Sequence, residues 1–235
     1  MNAASPIIEM RGITKRFGGV TALDNVDFDA YIGEVVAIVG DNGAGKSTLI
    51  KILTGVYQPT EGTIRMNGEP IQMDGHSDAI ALGIDAVYQT LALADHLTPA
   101  ANMFLGSELT YSFLGMRFLA NGKMKQEATR VLYERLGVQL KDPNVATESL
   151  SGGQRQAVAI ARAVYHADLK VLVMDEPTAA LGPQETARTL KLIKALRDQG
   201  LAVILISHSL DDVFEVSDRI HVQRRGRCAG VVETA

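Results

Sequence analysis

Gly40-Asp41-Asn42-Gly43-Ala44-Gly45-Lys46-Ser47-Thr48 is the stretch whose reading decides the fold. Its spacing matches G-x-x-x-x-G-K-[ST], the pattern of a loop that wraps phosphate groups. Glycines let the backbone turn its N–H groups inward, and a following helix adds the unpaired N–H groups of its first turn. Lys46 would reach the β- and γ-phosphates of a bound nucleotide, and the Ser47 hydroxyl would ligate Mg2+. The flanks suit that reading: Glu34–Val39 reads as a strand before the loop and Ser47–Thr54 as a helix after it. A dinucleotide fingerprint is excluded, because the glycines are not spaced G-x-G-x-x-G.

Outward from the loop, short apolar, β-branched runs read as further strands: Ile7–Met10, Val26–Ala30, Thr63–Met66, Ile84–Tyr88, Val171–Met174, Ala202–Ile206 and Arg219–Val222. Helical patterns over Asn121–Leu136, Gly152–Tyr165 and Pro183–Gln199 separate the later ones. The last opens with proline at a first-turn position and stops at Gly200. Such alternation predicts an α/β fold whose central strands are parallel and covered on both faces. The first part differs, with hairpin-like strands around Gly18–Gly19, Tyr31–Gly33 and Asn67–Gly68. Residues 90–150 show no strong strand and read as a helical lobe inserted into the α/β core.

Two strand ends carry chemistry. Val171–Met174 runs into Asp175-Glu176-Pro177, and the carboxyl ends of strands are where α/β sheets bind ligands. Asp175 would hold Mg2+ and Glu176 would serve as general base, the alternative being a solvated acidic loop. Leu201–Ile206 runs into Ser207-His208, so His208 is either a γ-phosphate sensor or a structural histidine. Leu150-Ser151-Gly152-Gly153-Gln154 opens another helix, and Ser151 with Gln154 fits a capping box. Two glycines in a first turn lower helix propensity by ~1 kcal/mol each. They make sense where a ligand must approach the backbone, which suggests a second anion site.

The ordered set GDNGAGKST, Gln89 after a strand, LSGGQ, VLVMDEPT and His208 closely resembles the nucleotide-binding subunit of ABC transporters, over essentially the whole chain. The resemblance implies a P-loop core of the ABC ATPase type, with an N-terminal antiparallel β subdomain and an inserted α-helical subdomain. It also implies ATP and Mg2+ as cofactors, with two cassettes packed head-to-tail. LSGGQ of one cassette would close over ATP on the other, so Ser151, Gly152, Gly153 and Gln154 would act in trans. By the same likeness Gln89 links Mg2+ and the membrane partner to the helical lobe, Phe17 stacks on adenine, His208 lies near the γ-phosphate and Glu176 is the base. From composition alone Phe17 fits a core position equally.

A narrower likeness, to sugar importers of the ribose, xylose and fructose kind, rests on KRFGGVTALDNVDF, GDNGAGKSTLIKILTGVYQPTEG and ANMFLG. Importers of that branch commonly fuse two cassettes; one is visible here, so a homodimer is the simplest arrangement. Transmembrane permease subunits are then direct partners, and an extracytoplasmic sugar-binding protein an indirect one. The aspartate usual after Ala-Leu is replaced by Gly182, which puts that residue's cross-dimer contact in doubt.

Composition sets the remaining bounds. The 235 residues are 46% hydrophobic and 21% charged, and the formal net charge is −4. That balance argues against a broad phosphate-neutralising surface and hence against a nucleic-acid partner. Arg224, Arg225 and Arg227 form a local basic cluster or a solvated turn. Cys228 is the only cysteine, which suits a reducing compartment. The start, MNAASPIIEM, lacks the pattern of a signal peptide, and no run nears the ~20 apolar residues of a membrane span. These features point to a cytoplasmic protein, and the resemblance implies that it is held peripherally at the inner membrane through its permease. A competing class, an ATP-driven clamp on nucleic acid or the ribosome, tends to carry tandem cassettes or long charged insertions, and neither is visible. An export ATPase is a third class, less favoured without a fused transmembrane domain.

Overall fold

The computed structural model describes residues 5–165 and 168–234. Met1–Ala4, part of the N-terminal stretch read above, lie outside the described residues. In chain order come β1 (Ile8–Phe17), β2 (Val20–Ala30), β3 (Val35–Val39), α1 (Lys46–Leu53), β4 (Glu61–Met66), β5 (Glu69–Ile71), α2 (His76–Ala81) and β6 (Ile84–Val87). Next are α3 (Pro99–Met103), β7 (Thr110–Phe113), β8 (Met116–Leu119), α4 (Asn121–Arg130) and α5 (Gly152–Tyr165). The chain closes with β9 (Val171–Asp175), α6 (Pro183–Asp198), β10 (Ala202–Ile206), α7 (Leu210–Val216), β11 (Arg219–Arg224) and β12 (Arg227–Glu233). Contacts divide it into two compact units: Met1–Gln89 with Asp168–Ala179 and Ile193–Ala235, and Thr90–Ala167 with Ala180–Leu192. In this division, residues 151–167 and 180–192 join the segment expected to form the lobe.

The first unit holds two sheets. An antiparallel one runs β2-β1-β4-β5, and a six-stranded one runs β12-β11-β3-β10-β9-β6. In the latter β11, β3, β10, β9 and β6 are parallel, with β12 antiparallel at the edge. Every residue of β10 and of Val171–Met174 is buried, which is why these strands read as continuous apolar runs rather than alternating ones. A single core cluster gathers Ile8, Met10 and Phe28 of the antiparallel sheet, Leu49 and Leu53 of α1, and Val36, Val173 and Ile204 of the parallel sheet.

The expected hairpin at Tyr31–Gly33 is not one. β2 ends in the antiparallel sheet and β3 begins in the other, so the segment passes between sheets. β3 pairs instead with β10 and β11, because VVAIV needs neighbours on both edges and cover on both faces.

In the second unit, Asn102 is fully buried; its amide donates to the Ala94 carbonyl at 3.0 Å and to Thr147 Oγ1 at 2.9 Å. Arg155 pairs with Asp95 at 2.7 Å, tying the start of α5 to the same loop. The amphipathic stretch expected over Asn121–Leu136 is α4 continued by a π-helical turn, Val131–Arg135, with Val131, Leu132 and Leu136 buried. The segment read as having no strong strand does hold two short ones: β7 and β8 form a hairpin around Leu114 (φ 50°) and Gly115 (φ 79°). Positive φ at both positions is the tight-turn geometry, but Leu-Gly lacks the Asn-Gly cue that announces it. All eight strand residues are exposed, so burial imposed no alternation to read.

Candidate active site

The parallel sheet of the first unit positions the site. β3 ends at Val39 and passes into the glycine loop, β6 leads to Gln89, β9 ends in Asp175, and β10 leads to His208. Register aligns these ends: Ile206 pairs with Asp175 and with Ile38, and Val87 with Met174. A cleft of about 480 Å³ opens there. It is lined by Phe17, Asn42, Gly43, Ala44, Gly45, Lys46, Ser47, Thr48, Gln89, Asp175, Glu176 and His208, together with Val20, Thr21, Ala22 and Ile206. That is ample room for a nucleotide-sized ligand.

The loop needs its glycines for two different reasons. A Cβ on Gly40 would lie 2.0 Å from the Gln223 carbonyl, and one on Gly45 would lie 2.7 Å from the Ala22 carbonyl. Gly43 has open space but a φ of 79°. Lys46 is buried, and its ammonium donates to the carbonyls of Gly40 (2.6 Å) and Asp41 (3.1 Å), which draws the loop closed around it. Gly226 N–H donates to the Ala44 carbonyl at 2.9 Å, so the β11–β12 turn braces the loop from behind. This resolves the arginine cluster: Arg224 and Arg225 are solvated at that turn, and Arg227 pairs with Asp24 at 2.6 Å.

Glu176 follows β9 with φ 52°, a strained value for a residue with a side chain, and its N–H donates to the Ile206 carbonyl at 2.9 Å. Its Oε1 is buried without a hydrogen-bond partner among the described residues and lies 3.3 Å from His208 Nε2. Burial raises the Glu176 carboxyl above the ordinary glutamate range, and the nearby His208 limits the rise. Asp175 is raised too, chiefly by burial, with Lys46, Lys51 and His208 opposing. Phe17 is 42% exposed at the rim, one edge against Tyr57 (5.2 Å between ring centres) and Lys15 Nζ 5.1 Å from its ring centre.

Ser47, Gln89 and Asp175 bring a hydroxyl, an amide and a carboxylate to one cleft, the hard oxygen donors that Mg2+ prefers. Among the described residues no cluster of three or more His, Cys, Asp or Glu side chains has metal-binding geometry.

In the second unit, Ser151–Gln154 opens α5 as a capping box. Gln154 Oε1 accepts from Ser151 N–H at 3.1 Å, and Ser151 Oγ accepts from Gln154 N–H at 3.4 Å. A Cβ on Gly152 would meet Leu181 Cδ2 at 2.8 Å, so close packing is one reason for that glycine.

Sequence reasoning missed Val20, Thr21 and Ala22 in the cleft, Gln223 and Gly226 behind the loop, and Glu185 beside the start of α5. A carboxylate three residues after Gly182 is an N-terminal capping signal, and it alone was legible beforehand.

The sequence pattern of the ABC transporter family matches residues 23–179. The fructose import ATP-binding protein FrcA of Rhizobium meliloti is 50% identical over 228 residues, which span 96% of this chain and 87% of that protein. The ribose import ATP-binding protein RbsA of Yersinia pestis is 46% identical over 225 residues, 96% of this chain but 43% of that protein. The chain thus spans less than half the length of its ribose relatives. A dimeric post-hydrolysis ATP-binding cassette solved with ADP and phosphate superposes with TM-score 0.79 at 26% identity, covering 97% of this chain and 99% of that one.

Proposed function

The chain belongs to the ABC transporter family of ATP-binding cassettes, and from that premise we propose that it binds and hydrolyses ATP to energise import of a monosaccharide. One observation carries the ATPase reading: Lys46, Ser47, Gln89, Asp175, Glu176 and His208 converge on a single cleft. The cargo class follows the relatives named for fructose and ribose import.

The chemistry follows from the residues. Adenine stacks on the exposed face of Phe17, and loop N–H groups donate to the phosphate oxygens. Lys46 exchanges the Gly40 and Asp41 carbonyls for β- and γ-phosphate oxygens. Mg2+, when held by Ser47, Asp175 and Gln89, supplies charge neutralisation at the phosphates. Glu176 takes a proton from the attacking water as its oxygen bonds to the γ-phosphorus. The bond to the β–γ bridging oxygen breaks, and ADP leaves with that electron pair. Burial of Glu176 strengthens it as a base, and His208 Nε2, 3.3 Å from its Oε1, limits the rise.

Ser151–Gln154 serves in trans, contacting ATP held by a second copy of the chain. ATP binding then closes a homodimer and hydrolysis releases it, the motion passing to transmembrane permease subunits. An extracytoplasmic sugar-binding protein delivers cargo to that permease. The subunit sits on the cytoplasmic face of the membrane through the permease; no described helix is long and apolar enough to cross one.

Reconstitution with the cognate permease tests the assignment. ATPase activity should rise when the binding protein and its sugar are added, with fructose, ribose and xylose as first candidates. Stimulation by nucleic acid or ribosomes, with none by any sugar, would move the chain to the clamp class.

A further inference from the structure

The start of α5 already carries an anion. Glu185, in the first turn of α6, lays its side chain over Gly152 and Gly153. A Cβ on Gly152 would lie 3.5 Å from Glu185 Oε2, and one on Gly153 would lie 3.7 Å from Oε1. The Ser151 hydroxyl and the Gly153 and Gly182 N–H groups lie near enough to hold the carboxylate below the usual glutamate range. The donor assignments are mutually consistent. Ser151 Oγ accepts from Gln154 N–H, which leaves its own proton free to turn toward Glu185. The Gly153 N–H is one of the donors that a helix start leaves unpaired. Gly182 caps α6, and Glu185 reaches back to it as half of a capping box.

Two of these three donors, Ser151 and Gly153, belong to the segment assigned above to the γ-phosphate of ATP on a second copy. A carboxylate and a phosphate cannot hold the same donors, and like charges at contact distance repel. We propose that Glu185 is a built-in competitor of the γ-phosphate at the LSGGQ helix start, seated there in the separate subunit and displaced when two ATP-loaded copies close. This inference rests on the trans reading of Ser151–Gln154.

The side chain has somewhere to go. Once displaced it keeps the Gly182 N–H, and Arg188 one turn further on lies within electrostatic reach. A cavity of about 200 Å³ lined by Ser151, Gly153, Gln154, Glu185 and Arg188 gives it room to move. Glu185 thereby raises the ATP concentration needed for closure. It reclaims its donors when phosphate leaves, which favours reopening.

The test measures ATP-dependent dimerisation of the full chain by sedimentation, with Glu176→Gln as the trapping background. Adding Glu185→Gln should lower the dimer dissociation constant about fivefold, the scale of one exposed charge interaction. Glu185→Ala should lower it too, while ATP binding to the dilute monomer stays unchanged. A purely structural Glu185 predicts the opposite: a lower melting temperature and a weaker dimer. That result, or an unchanged dissociation constant, overturns the inference. Ser151→Ala separates the two readings. If it weakens the dimer while Glu185→Gln does not strengthen it, the trans assignment stands and the competitor role fails. If Ser151→Ala leaves dimerisation intact, the trans assignment fails and the inference with it.

Discussion

Glu176 combines a left-handed backbone (φ 52°), a buried Oε1 without a hydrogen-bond partner among the described residues, and His208 Nε2 at 3.3 Å. An acceptor left open at a strained position is what a general base needs, since its hydrogen bond is made to the attacking water. Glu176→Gln should therefore cut ATP turnover at least ~100-fold while ATP binding, followed by calorimetry, is retained. Because burial raises this carboxyl, the acid limb of kcat/KM against pH should lie above the ordinary glutamate value of 4.5. Activity is lost as pH falls through that raised pKa. Asp175 carries a stability signature of the same origin. Its folded pKa is raised above 3.8, so its contribution is most favourable when protonated and is lost as pH rises through the folded value. Asp175→Asn should then melt higher than the parent at pH 7 without nucleotide or Mg2+, and the gap should shrink as pH is lowered toward 4. A constant gap across that range would contradict the burial argument.

At the scale of elements, the glycine loop is held by backbone that approaches from β2 and β11. Gly45 and Gly43 both have positive φ, yet only Gly45 has neighbours that a side chain would strike. Gly43→Ala should cost about 1 kcal/mol of stability, the penalty for a left-handed alanine. Gly45→Ala should cost about 1–3 kcal/mol more through displaced backbone, and should lose nucleotide affinity as the loop shifts. Denaturant midpoints of the two variants measure the difference. Equal midpoints would mean that β2 yields and the loop is not braced as described. The start of α5 shows how one element carries two readings at once. Its capping box is real, and the same Ser151 hydroxyl that caps the helix also lies near enough to Glu185 to lower its pKa.

For the whole molecule, the decisive question is whether each ATP is held by two copies. Mixing inactive Ser151→Ala chains with inactive Glu176→Gln chains answers it. A mixed dimer places both defects at one site and leaves the other site intact, so turnover should recover toward half of the normal rate. Recovery absent from a mixture that demonstrably forms mixed dimers would confine each active site to one chain.

Much of this was legible before any coordinates. Gly40–Thr48 is a short-range pattern whose spacing points to phosphate binding, while Asp175-Glu176, His208 and Ser151–Gln154 each kept a bland alternative and took their roles from the family resemblance. The apolar runs at β3, β9 and β10 announced a parallel sheet covered on both faces. The β7–β8 hairpin was not legible, because its exposed strands carry no burial pattern and Leu114-Gly115 no standard turn cue. Nor was the passage at Tyr31–Gly33, since local sequence does not say which sheet a strand will join. Residue chemistry was thus determined locally, by side-chain type and spacing. Tertiary structure alone decided that the ends of β3, β6, β9 and β10 meet in one cleft, because strand pairing depends on burial and register and not on separation along the chain. It alone placed Glu185 on the donors of α5, where packing of two helix starts sets a carboxylate at a site suited to phosphate.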